Sequence, residues 1–315
     1  MIAGRDNRFR ARDCRTATVT AVRSYRDHIC EYALMPALQV WYASVDLIGY
    51  LAGTRDPQIR KLYLRLLRKA QHRDAAREFP KLAHRLGGAP RIKDDPPLIY
   101  HLADEQRPEF HRMVHDVLAR YRASLPDERR VLFDRYRFAD LAVKVVGVGS
   151  VGTMCGAALF LAADDDPLFL QIKEARSSVL EPFAGKSVYH HRGERVVVGQ
   201  RLMQAASDIF LGWTFGDKGR HFYVRQLRDV KIKPMVELMT PQHLIAYAGL
   251  CGWALASAHA RSGDPAALAG YMGNSAAFDE AIADFAVAYA DQNERDHAAL
   301  VAAVRAGRIE VQTES

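Results

Sequence analysis

The sequence predicts an α+β fold, a small antiparallel sheet lobe flanked by mostly helical segments. Three observations predict it. Short apolar runs bounded by turn residues cluster between residues 136 and 238. Apolar residues at steps of three and four dominate the chain before and after that stretch. A glycine-rich turn, Gly147-Val148-Gly149-Ser150-Val151-Gly152, separates the first two apolar runs. The expected division is a helical segment over 1–135, a glycine-loop and sheet lobe over 136–238, and a second helical segment over 239–315.

Taken in order, residues 17–50 carry a helical pattern through Val22, Tyr25, Ile29 and Tyr32 and then Val40, Trp41 and Val45, with Pro36 bending or dividing it. Ile59, Leu62, Tyr63, Leu66, Leu67 and Ala70 define a second helix whose other face is basic. No aromatic interleaving or nucleic-acid motif accompanies that face, so a solvated surface is expected rather than a nucleic-acid partner. Gly87-Gly88-Ala89-Pro90 and Asp94-Asp95-Pro96-Pro97 bracket a loop, Phe110 to Leu125 is helical, and Pro126-Asp127-Glu128 opens the helix leading into the glycine region. Beyond it come a loop at 181–186, a helix over 194–206 and a strand over 221–227. Thr240-Pro241 then caps a helix over 244–260, followed by helices over 276–290 and 295–305.

The glycine turn reads as a phosphate-binding loop. Spacing of G-x-G-x-x-G lets backbone N–H groups approach an anion without Cβ obstruction, and Lys173, two apolar runs later, supplies a cation. Two contexts fit the spacing. If 153–163 is a strand, the region is a hairpin closed over the glycines with Lys173 on a third strand, the plan of a kinase-type nucleotide lobe. If 153–163 is a helix, the glycines open a dinucleotide-binding βαβ unit, with Glu174 as the ribose-binding acid. The Asp164-Asp165-Asp166-Pro167 punctuation favours the hairpin.

Composition bounds the remaining classes. The chain has 315 residues and is 49% hydrophobic, enough for one large or two modest cores. No apolar stretch is long enough to span a bilayer and the first residues lack a signal-peptide pattern, so no membrane association and a cytoplasmic location are expected. Cys14, Cys30, Cys155 and Cys251 show no paired spacing. The formal charge of +7 is uneven: residues 1–146 hold 28 Lys and Arg against 18 Asp and Glu, and the remainder 16 against 19. His111 and His115 lie one helical turn apart but lack an adjacent third ligand, and no metal ligands are identified.

The chain resembles the bacterial domain of unknown function 2252 family over essentially its full length. The resemblance is carried by Gly4-Arg5-Asp6-Asn7, Ser24-Tyr25-Arg26, Trp41-Tyr42-Ala43, Lys144 through Thr153, Gln171-Ile172-Lys173-Glu174-Ala175, Gly199-Gln200-Arg201-Leu202-Met203-Gln204, Phe222 through Asp229, Ala258 through Asp264 and Tyr289-Ala290-Asp291-Gln292-Asn293. It implies distant kinship with protein kinases and aminoglycoside-type phosphotransferases, hence a protein-kinase-like fold and ATP with Mg²⁺ as cofactor. The acceptor, a small molecule or a protein, is not specified. Longer members carry Gly-Asp-x-His-x-x-Asn and Asp-Phe-Asp type elements upstream of the point where this chain begins, so the chain looks like the C-terminal two-thirds of a member. Exposed apolar surface on its N-terminal helices is then expected. Val198 stands where relatives are expected to have Glu, and Glu194, one turn earlier, is the candidate substitute partner for Lys173.

The candidate nucleotide-binding residues are Gly147, Val148, Gly149, Ser150, Val151, Gly152, Lys173 and Glu194. The candidate catalytic residues are His259, Asp264 and Asp291, each with a plain alternative: an interior histidine, a helix cap and a helix-end ion pair. The expected function is a kinase-like ATP-binding domain of phosphotransferase type, incomplete without the upstream elements. Its rivals are a noncatalytic scaffold of the same fold and an NAD(P)-dependent oxidoreductase.

Overall fold

A computed structural model describes residues 1–44, 75–103, 108–145, 147, 152–162, 166–227 and 234–311. The basic helix expected over 59–70 lies outside these residues. In chain order the elements begin with α1 (Ile2–Asp6), α2 (Ala11–Ala33), α3 (Ala37–Tyr42), α4 (Ala75–Leu82), β1 (Ala83–Leu86), β2 (Ala89–Ile92) and β3 (Ile99–Tyr100). They continue with α5 (Pro108–Ser124), α6 (Asp127–Phe133), β4 (Arg137–Lys144), β5 (Cys155–Leu161), β6 (Pro167–Glu174), α7 (Glu181–Ala184) and α8 (Arg192–Met203). The last are β7 (Gly212–Phe215), β8 (His221–Gln226), α9 (Pro241–Ser262), α10 (Pro265–Met272) and α11 (Ala277–Arg305).

The chain divides into two compact units, Met1–Ile59 with Lys233–Ser315, and Arg60–Ile232. The helical start and helical end of the chain therefore fold together. The β1–β2 hairpin, α5 and α6, which the sequence pattern groups with the N-terminal helices, belong with the sheet.

In the first unit α2 packs along α9 around Ile29, Tyr32, Val40, Ala256, Ala260 and Met272. Gly252 permits the approach: a Cβ there would lie 2.1 Å from the carbonyl oxygen of Ala21. Arg26 donates two hydrogen bonds, of 3.0 and 3.1 Å, to the fully buried Asp279 and so ties α2 to α11. Removing one partner of such a buried pair strands the other charge and costs about 3–5 kcal/mol. Pro36 divides the first helix as expected, serving as N-cap of α3. Leu34, Leu38 and Tyr42 at this junction are exposed. Thr240 caps α9 by accepting from the His243 N–H, with Pro241 in the first turn. The final helix is continuous, not two. The polar stretch around Asp291 and Glu294 that suggests a break is exposed and engages Arg5, so it leaves the backbone helical.

In the second unit a six-stranded antiparallel sheet runs β3-β4-β5-β6-β8-β7. Residues 155–161 are thus a strand between two antiparallel neighbours, Ala157 pairing with Ala142 on one side and Gln171 on the other. One sheet face packs Phe160, Leu170 and Val224 against Tyr121 of α5, Phe133 of α6 and Leu125 between them. The other packs Ala142, Leu159 and Phe169 against Leu82, Ala83 and Ile92. Burial on both faces removes the polar alternation, which is why β5 and β6 read as continuous apolar runs. Gly87 and Gly88, with φ of +56° and +85°, turn the β1–β2 hairpin where the sequence reading expects only loop.

Because the Gly252 position meets backbone rather than a movable side-chain tip, Gly252→Ala forces α2 and α9 apart. The expected loss in chemical denaturation is about 1–3 kcal/mol; an unchanged midpoint and slope would show that the close approach is absent.

Candidate functional site

The glycine segment joins β4 to β5, so its two shoulders sit at the end of one antiparallel pair. Gly147 and Gly152 both adopt positive φ, +57° and +74°, conformations that favour glycine. Val148, Gly149, Ser150 and Val151 lie outside the described residues. The second shoulder is fastened to the end of β6. Glu174 accepts from the Met154 N–H at 2.9 Å and from Arg176 Nε at 3.0 Å, while Arg176 also donates to the Gly152 carbonyl. The Glu174 N–H completes the clamp on the Met154 carbonyl at 2.8 Å. Burial opposes the Glu174 charge, but the Met154 N–H and Arg176 overcome it and hold the carboxyl below its ordinary value.

Register sets what lies next to the glycines. Cys155 pairs with Lys173, which pairs with Tyr223, and the Val143 to Gly156 pairing carries Lys144 alongside Cys155. Lys144, Cys155, Lys173 and Tyr223 therefore form one cross-strand row on one face, since directly opposed residues point the same way. The next row is Ala142, Ala157, Gln171 and Arg225, in which Arg225 Nε and Nη2 donate to Gln171 Oε1 at 3.2 Å. Among the described residues no carboxylate lies within ion-pair distance of Lys144, Lys173 or Arg225. Burial lowers the Lys144 pKa, and Asp95 acts in the opposite sense.

The chain matches the family described as "Uncharacterized protein conserved in bacteria (DUF2252)" over residues 1–303. The chain belongs to this family. No curated protein and no solved structure matches it.

Two further parts of the DUF2252 chain bear on the site. Helix α8 starts at a built cap: His191 Nδ1 accepts from the Glu194 N–H at 3.1 Å, and its Nε2 donates to the Thr214 carbonyl at 3.1 Å. Gly193 lets the helix press on β8, since a Cβ there would lie 2.2 Å from the Phe222 carbonyl oxygen. The expected pairing of Lys173 with Glu194 does not form; neither side chain has an ionic partner among the described residues. The reason is geometric, because α8 packs on β7 and β8, beyond the strand that carries the lysine. Val198 instead lines a surface pocket with Arg195 and residues of 178–189.

At the other end of the sheet, His101 is held between Asp94 at 2.8 Å and Asp140 at 3.0 Å, and Asp140 also accepts from the Ile92 N–H. This node, invisible in sequence because its members come from three elements, fixes the β1–β2 hairpin to β4.

The three candidate catalytic residues lie in the first unit, with partners of their own. His259 Nδ1 meets the Tyr25 hydroxyl at 2.9 Å. Asp264 caps α10, accepting from the N–H groups of Ala266 and Ala267 at 2.9 and 3.2 Å. Asp291 pairs with Arg5 at 2.7 Å. Among the described residues no group of three or more His, Cys, Asp or Glu comes together to hold a metal. No helix among them is long and apolar enough to cross a membrane. A half-open apolar cleft, lined by Phe110, Met113, Val143, Ile172 and Phe222, lies on the sheet face opposite Lys173. Among the described residues no Lys, Arg or His lines it, and Val143, Met154, Cys155 and Gly156 of its wall flank the glycine segment in the chain.

The two histidine pKa values are shifted in opposite directions. Burial opposes the charged form of His101, but Asp140 and Asp94 outweigh it and raise its pKa above 6.5. Its contribution to stability is full below about 6.5 and lost as pH rises through the raised value. Burial and then the neighbouring His221 lower His191, whose contribution is present above 6.5 and lost as pH falls through the depressed value, when protonated Nδ1 releases the Glu194 N–H. Imidazole resonances followed by NMR are expected to give a His101 midpoint above 6.5 and a His191 midpoint below it; the reverse order would refute both environments.

Proposed function

We propose that this chain is a kinase-like, ATP-binding domain of phosphotransferase type. The observation that carries the reading is the positive face beside the glycine segment, with Lys144, Lys173 and Arg225 set by register and no carboxylate at ion-pair distance from them among the described residues. Cations gathered without direct ion pairs are matched by a polyanion. The glycine shoulders at positive φ supply backbone approach to phosphate oxygens. The plan of strands supports the same reading: a hairpin carries the glycines, the third strand carries the lysine, and a helix follows before the last two strands. Bound nucleotide would bring Mg²⁺ as its own counter-ion, and Lys173 would position the phosphates.

Against a dinucleotide unit stands β5, antiparallel to both neighbours where a βαβ crossover requires a helix. One reading remains beside phosphoryl transfer: a noncatalytic scaffold that binds nucleotide. Lys173 without a carboxylate on α8, and Asp264 occupied as a helix cap, favour it.

Equilibrium calorimetry with ATP and Mg²⁺, and NAD in parallel, tests the reading. Saturable ATP binding is expected, with Lys173→Ala weakening it by about tenfold or more, the worth of a charge-assisted contact of about 1.5–3 kcal/mol. Binding of NAD instead, or ATP binding indifferent to Lys173→Ala, would refute it. Turnover of bound ATP with an acceptor separates a phosphotransferase from a scaffold.

A further inference from the structure

We propose that Lys144 is a second phosphate-binding cation, paired with Lys173 on opposite sides of Cys155, and that the two together select a ligand bearing a di- or triphosphate chain. The inference rests on the nucleotide reading and adds to it the charge class that the site accepts. Lys144 is the last residue of β4, and the glycine segment begins three residues later, at Gly147. Val143 and Gly156 are opposed, so Lys144 is beside Cys155, and Cys155 is itself opposed to Lys173. Two strand spacings separate the lysine backbones by about 10 Å. Both side chains leave the same face, and both are flexible enough to converge on one extended anion between them. Ile99, opposite Lys144 on β3, belongs to the apolar cluster of that face, which confirms the direction of the side chain.

The surroundings of Lys144 distinguish it from a solvated strand lysine. It is partly buried, and burial lowers its pKa. Asp95 is the acid that favours its charge, yet forms no ion pair with it. A partly desolvated ammonium with no carboxylate at ion-pair distance gains from an anion that joins it. A single negative charge can satisfy one of the two lysines; a phosphate chain with several negative charges satisfies both. Arg225, in the adjacent row, is already engaged by Gln171 and is not needed for the clamp.

The test measures binding of ATP, adenosine and inorganic tripolyphosphate to the full chain and to Lys144→Gln and Lys144→Arg, with thermal unfolding of each variant as the check on folding. The expected result is that Lys144→Gln weakens ATP and tripolyphosphate by about tenfold or more, leaves adenosine unchanged, and is rescued in large part by Lys144→Arg. Tripolyphosphate binding that depends on Lys144, without any advantage of ATP over it, would uphold the clamp and overturn the nucleotide reading. ATP binding that responds to Lys173→Ala but not to Lys144→Gln would overturn the clamp alone. Failure of the wild-type chain to bind either polyphosphate would overturn both.

Discussion

The site depends on one constraint, the register of β4, β5, β6 and β8. Side chains alternate faces along a strand, so a slip of one residue would move Lys173 to the face packed by α5 and α6 and bring Ile172 into its place. The register is held from both sides. Phe160, Leu170 and Val224 must face Tyr121 and Phe133, while Leu159 and Phe169 must face Leu82 and Ile92. The apolar packing of the sheet therefore determines which charged residues surround the glycines, although none of them takes part in that packing.

A second level of organisation fixes the loop to that frame. The clamp formed by Glu174, Arg176, Gly152 and Met154 connects the exit of the glycine segment to the strand bearing Lys173, so the lysine and the loop shoulder move together. The His101 node performs the corresponding task for the β1–β2 hairpin and β4. Helix α8 is attached by a neutral histidine cap and by glycine-on-carbonyl packing rather than by a charge pair to β6. Lys173 is left without an ion pair among the described residues as a result.

Much of this was legible in the sequence where local chemistry decides. The Thr240-Pro241 start, the Pro36 division, the strand after the glycines and the lysine on the third strand all follow from capping, proline sterics and turn punctuation. What escaped was decided by tertiary contacts. Gly87 and Gly88 read locally as loop, although a two-glycine turn between short strands is a hairpin signal. The Glu194 partnership failed because helical position says nothing about which strand the helix covers. The break read near residue 291 was contradicted by an exposed polar patch that a long helix tolerates and Arg5 engages. Lys144 carried a signal that could have been used: it alternates with Ala142 and Asp140 immediately before the glycines, and antiparallel pairing across the hairpin then places it on the face of Lys173.

The most direct test of this account is a crystal structure of the chain with a nonhydrolysable ATP analogue and Mg²⁺. The account predicts the phosphate chain against the Gly147 and Gly152 shoulders, on the face that carries Lys144 and Lys173, with both ammonium groups in contact with phosphate oxygens. A nucleotide seated on the opposite face against the apolar cleft, or a register that puts the two lysines on different faces, would contradict it.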